Sequence, residues 1–112
     1  MHEMALCESL VAIIGSEAAA GGFHRVHSVR LEVGLLAGVE RDALQFGFQV
    51  VTRGTVAEGA LLQILPAVAQ AHCLSCGWRQ TLSRPIGLCP SCDGPLSVTG
   101  GRELRIKEME VE

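Results

Sequence analysis

Two Cys-x-x-Cys pairs, Cys73-Leu74-Ser75-Cys76 and Cys89-Pro90-Ser91-Cys92, stand twelve residues apart in the chain. Each tight turn aims two sulfurs at one point, and a loop of about 10–20 residues carries the second turn opposite the first. Thiolates are soft donors, and four of them close a tetrahedral shell with no position left for water or substrate. Zinc suits such a shell, and its role there is structural. A different chemistry is offered at the other end, where the chain reads Met1-His2-Glu3. A histidine in second place presents three nitrogens in sequence: the terminal amine of Met1, the backbone amide of His2 once deprotonated, and its imidazole. Fused chelate rings hold these donors nearly flat, an arrangement that suits nickel(II) or copper(II) and fits magnesium or calcium poorly. The fourth corner stays open for ligand exchange. A histidine in second place also arises by chance, and Glu3 has an ordinary use as favourable charge in a first helical turn.

Other reactive side chains have plainer readings. His72 abuts Cys73 and is a candidate to replace a thiolate or to sense the ion's charge, against an ordinary solvent-facing imidazole. His24 and His27 flank a strand and read as surface residues, and Cys7 lies on an apolar helical stripe and reads as a small core side chain. Trp78, the single tryptophan, follows the first pair and is expected to shield the sulfurs. Two further uses of the quartet are an iron electron-transfer centre, which would be coloured, and a catalytic dithiol, which would not need four cysteines. A zinc-ribbon adaptor for nucleic acid is disfavoured by the net charge of −3 and the lack of a basic run.

The elements that must carry these groups follow from apolar period. Residues 4–20 have helical spacing through Met4, Cys7, Val11, Ile14 and Ala18, ended by Gly21-Gly22. Val29, Leu31 and Val33 alternate with polar residues, the pattern of a strand with one wet face, closed by Gly34. Residues 40–53 return to helical spacing through Leu44, Phe48 and Val51, with Gly54 as the stop. Ala60 to Val68 reads as a strand in which Pro66 favours an edge. After the cysteine pairs, Gly100-Gly101 marks an exit and Leu104-Arg105-Ile106-Lys107 alternates again, so the last strand should return to the first sheet. About 30 residues, Gln70 to Thr99, hold too few large apolar groups to fold unaided, and an ion supplying on the order of 10 kcal/mol would stand in for a core. The expected fold is α+β: residues 1–69 and 100–112 form a small sheet with two helices, and residues 70–99 form an inserted zinc-ribbon-like lobe.

Composition sets the surroundings. At 112 residues and 48% hydrophobic content, the chain is long enough for one modest core and too apolar for general disorder. The wholly apolar runs fall short of the roughly 18 residues of a membrane span, and no signal-peptide pattern opens the chain. A reducing cytoplasm is the expected setting, consistent with five cysteines of which Cys7 lacks a partner.

The opening Met1 to Cys7, the stretch Val29 to Gly34 with Gly38-Val39-Glu40, the run Phe48 to Gly59, the paired cysteine turns and the closing Val98 to Glu108 together resemble the HypA/HybF family. The likeness runs from end to end. It implies a nickel metallochaperone of NiFe-hydrogenase maturation rather than an enzyme, with Ni(II) as cargo and Zn(II) as a structural ion. On the same resemblance the nickel site falls on His2, with Met1 and Glu3 contributing, and the zinc ligands on Cys73, Cys76, Cys89 and Cys92. The implied partners are a HypB-like GTPase and the precursor of the hydrogenase large subunit, with no role for nucleic acid or membrane. One departure is Asp93-Gly94, where many zinc ribbons place glycine directly after the last cysteine; this bears on turn shape more than on ligation.

Overall fold

The computed structural model describes residues 3–112. Their contacts divide them into two compact units. The first joins the described residues up to Leu31 with Val39–Ile64 and Ile106–Glu112; the second joins Glu32–Gly38 with Leu65–Arg105.

In the first unit, helix α1 (Glu3–Gly21) buries Cys7, Leu10, Ile14 and Ala18, and α2 (Arg41–Val51) buries Leu44, Gly47 and Phe48. These stripes sit at the three- and four-residue spacing read from the sequence, and the two helices pack on one another. Gly47 allows the close approach, since a Cβ there would lie 3.0 Å from the Cys7 sulfur. The Cys7 thiol donates to the Leu44 carbonyl at 3.4 Å and is fully buried, so this cysteine is a core side chain. Helix α1 stops as expected, with Gly22 in the left-handed region (φ 72°) and its N–H on the Ala18 carbonyl at 2.9 Å. Helix α2 runs to Val51 with Thr52 as its C-cap, and Gly54, left-handed at φ 78°, is the stop just beyond. The Thr52 hydroxyl also donates to the Phe48 carbonyl at 2.6 Å. Within the 19-residue α1 an 18-residue window has a mean hydropathy of 1.4, enough by length and composition alone to cross a membrane. Leu10, Val11, Ile13 and Ile14 carry much of that average, and the buried stripe of α1 faces α2.

One sheet has the order β2-β1-β6, with β1 at Val26–Gly34, β2 at Leu61–Ala67 and β6 at Leu104–Val111. Pro66 therefore lies on an edge strand, as its missing N–H requires, and the last strand does return beside β1. Polar side chains tie this sheet within the first unit: Arg30 donates to Gln63 at 2.9 Å and pairs with Glu108, and His27 meets Glu112 at 3.0 Å. Exposed His24 and His27 are surface residues.

In the second unit, β3 (Ala69–Cys73) lies between β4 (Arg79–Leu82) and β5 (Leu96–Gly100), both antiparallel to it. Its apolar cluster is small: buried Ala69, Ala71 and Leu82, flanked by half-buried Leu35, Leu36, Trp78, Ile86 and Leu96. Two backbones cross tightly beside it. The Gly34 N–H donates to the Glu103 carbonyl at 2.7 Å and the Leu36 N–H to the Gly101 carbonyl at 2.5 Å. A Cβ on Gly34 would fall inside the van der Waals shell of the Gly101 carbonyl, with backbone and no flexible side chain in its path. Gly34→Ala should therefore destabilise the protein by about 3 kcal/mol or more, measured by urea unfolding at fixed zinc.

Candidate metal centre

The four sulfurs predicted from spacing come together in the second unit. Cys73, Cys76, Cys89 and Cys92 place their Sγ atoms within 4.8 Å of one another. Across the two turns, Cys73 faces Cys92 at 3.5 Å and Cys76 faces Cys89 at 3.7 Å. A tetrahedron with metal–sulfur bonds of about 2.3 Å has edges of about 3.8 Å, whereas a disulfide would need about 2.05 Å. These are metal-binding separations, and all the cysteines are free thiols.

Backbone geometry explains the convergence, because the two turns repeat one another. The Gly77 N–H donates to the Cys73 carbonyl at 3.0 Å, and the Asp93 N–H to the Cys89 carbonyl at 2.8 Å. One residue further on, the Trp78 carbonyl accepts from the Cys73 N–H at 2.7 Å, and the Gly94 carbonyl from the Cys89 N–H at 2.9 Å. Gly77 has φ 80° and Asp93 has φ 60°. Asp93 thus adopts the left-handed conformation that glycine supplies in the first turn, one that aspartate tolerates better than most residues. The departure noted in the sequence changes the residue and keeps the turn. Gly94 in turn is closely packed, since a Cβ there would lie 3.1 Å from both the Cys92 sulfur and the Ser75 hydroxyl, which would have to shift by a few tenths of an ångström.

Each turn also aims N–H groups at sulfur. The Cys76 N–H points to Cys73 Sγ at 3.5 Å and the Ser91 N–H to Cys89 Sγ at 3.4 Å. The Cys76 amide, with that of Ser75, helps hold the Cys73 thiol down at about 6. At Cys92 the Gly94 N–H acts in the same direction but is outweighed by hydrogen bonds with Cys73 and Cys76, which push the thiol up to about 12. Cys76 is likewise raised: the Trp78 N–H favours its thiolate, but burial and Cys73 prevail. Adjacent sulfurs cannot all carry charge by themselves, and a divalent cation among them removes that conflict. The donor set fits zinc by type, number and separation.

The ligand group contains the four cysteines and does not include His72. On β3, His72 and Cys73 are consecutive and project to opposite faces. Trp78 contributes to the centre through its backbone, while its ring packs with the Ala69–Ala71–Leu82 cluster. Cys73 and Cys89 are buried; Cys76 and Cys92 are exposed.

At the chain's beginning, Met1 and His2 lie outside the described residues. Glu3 has a definite role, which spacing did not reveal: its Oε2 accepts the Glu40 N–H at 3.0 Å. Glu40 is the N-cap of α2 and makes no side-chain cap of its own. A carboxylate from α1 therefore caps α2, at the end where the helix dipole favours negative charge. Cys7 is fully buried with its thiol on the Leu44 carbonyl, and burial, with Glu3 and Glu8 adding to it, raises that thiol.

Comparison with known proteins bears on both regions. A family model described as hydrogenase/urease nickel incorporation, metallochaperone, hypA matches residues 1–111. The hydrogenase maturation factor HypA of Alkalilimnicola ehrlichii is 53% identical over 113 residues, covering 100% of both chains. That of Rhodobacter capsulatus is 49% identical over 112 residues, covering 99% of each. Among solved structures, the Ni metallochaperone HypA from Helicobacter pylori aligns with a TM-score of 0.70 at 22% identity, over 99% of this chain and 97% of that one. The fold of two helices with small sheets is shared with it. Substituting Cys89→Ser should reduce bound zinc from about one equivalent to near none by elemental analysis. It should also strip amide-exchange protection from β3, β4 and β5, whose small cluster replaces little of the roughly 10 kcal/mol an ion supplies.

Proposed function

The chain belongs to the HypA family of nickel metallochaperones for hydrogenase maturation, and from that premise we propose that it takes up Ni(II) through Met1, His2 and Glu3. The terminal amine, the His2 amide and the imidazole supply three planar nitrogens, and the fourth corner is left for exchange. The observation that carries this reading is the Glu3–Glu40 hydrogen bond. It fastens Glu3, the residue next to His2 in the chain, onto the start of α2. Glu3 then acts chiefly by positioning, with one oxygen committed to the helix cap. Its charge, and those of nearby Glu40 and Asp42 in the same unit, favour a divalent cation at that end of the molecule.

In this reading residues 1–69 and 100–112 handle nickel, and residues 70–99 are held upright by structural zinc on Cys73, Cys76, Cys89 and Cys92. Nickel passes in the cytoplasm to the precursor of the NiFe-hydrogenase large subunit, in concert with a HypB-like GTPase. The work is selection and release of an ion, and no covalent bond of a substrate is made or broken. At nitrogen donors copper outranks nickel, so discrimination comes from metal availability and from exchange between docked proteins. Amine, amide and imidazole must all lose protons to bind, so affinity falls steeply on acidification.

Replacing His2→Ala should abolish tight nickel binding by titration calorimetry and leave zinc content and thermal stability unchanged. Adding one residue ahead of Met1 should do the same, because it removes the chelating amine while retaining every side chain. Unchanged nickel affinity in both proteins would place the site elsewhere.

A further inference from the structure

A groove of about 300 Å³ runs along β4, with Leu82, Ile86 and Trp78 among its apolar walls and Arg84 also lining it. Strand β4 pairs with β3 on one side and, in the order β4-β3-β5, has no neighbouring strand on the other among the described residues. The register identifies which backbone groups remain unpaired. The Cys73 N–H donates to the Trp78 carbonyl, and Gln80 and Leu82 stand opposite Ala71 and Ala69. Trp78, Gln80 and Leu82 therefore turn their backbone groups toward β3. Backbone direction alternates along a strand, so the N–H and C=O groups of Arg79 and Thr81 face outward.

Side chains alternate too. Leu82, with Gln80, projects to the face where the apolar cluster lies, and Arg79 projects to the other. Arg79 and Arg84 are exposed and form no ion pair among the described residues. This unit holds four arginines, at 79, 84, 102 and 105, against three carboxylates, Glu32, Asp93 and Glu103, although the chain as a whole is acidic at −3.

We propose that this edge binds an extended acidic segment of a partner protein, added as a further strand beside β4. Its backbone pairs with Arg79 and Thr81, its apolar residues lie toward Trp78 and Ile86 in the groove that Arg84 also lines, and its alternate carboxylates meet Arg79 on the opposite face. Strand addition draws affinity from the main chain and specificity from alternate side chains, so the favoured sequence alternates acidic and apolar residues. The inference does not depend on the nickel reading.

The test uses the full zinc-loaded chain and a short synthetic peptide alternating glutamate and valine. Trp78 is the only tryptophan and the chain has no tyrosine, so its emission reports on the groove directly. The expected result is a blue shift of that emission with slowed amide exchange at Arg79 and Thr81. Binding should weaken about tenfold in the R79E/R84E double variant. It should be lost with a lysine–valine peptide, and also with a glutamate–valine peptide N-methylated on the edge that faces β4. The last comparison leaves the protein unaltered and so stands even if the double variant misfolds. Unchanged emission and exchange, or equal binding of the lysine–valine peptide, would overturn the proposal. So would protection of Arg79 and Thr81 by self-association without peptide, which would assign the edge to a second copy of the chain.

Discussion

Four sulfurs held within 4.8 Å repel one another as soon as they ionise, and a divalent cation bound among them would resolve this repulsion. Cys73 is a willing thiolate and Cys92 a reluctant one, although both belong to one cluster. Nearby, Ala69, Ala71 and Leu82 bury little area, so apolar packing alone gives β3 modest support. Electrostatic need and a thin core point to the same remedy, a permanently held ion.

The other unit follows different physics. Helices α1 and α2 meet through Cys7, Leu44, Gly47 and Phe48, an ordinary apolar contact made close by a missing side chain. Across their ends Glu3 closes a gap in hydrogen bonding that Glu40 leaves open. A residue that could have served only as a weak metal donor is first a structural group. In the proposed function one ion is enclosed by sulfur and retained, while the other is presented on nitrogen and released.

Much of this was legible in the chain. The helical stripes of α1 and α2, the alternation in β1, Pro66 on an edge and the convergence of four cysteines all follow from local period or spacing, which sequence carries directly. What was hidden depends on partners distant in the chain. The Thr52 hydroxyl bond to the Phe48 carbonyl near the end of α2 was not legible, whereas Gly54, left-handed at φ 78°, stands just past the helix as the stop read from the sequence. Leu35 and Leu36 join the cluster around Ala69, and Gly34 passes against Gly101, through contacts that no periodicity encodes. Strands β3, β4 and β5 are short and broken by turns, so their alternation is too brief to stand out. Glu3 as a cap was invisible for the same reason: its acceptor role is defined by an amide 37 positions away.

The repetition of the two cysteine turns has an entropic meaning. Each is closed by its own pair of backbone hydrogen bonds, and each brings two sulfurs to its mouth without help from the other. An ion bound there would meet its donors as two pairs, each set by its own turn, rather than as four independent side chains, which lowers the ordering cost of its capture.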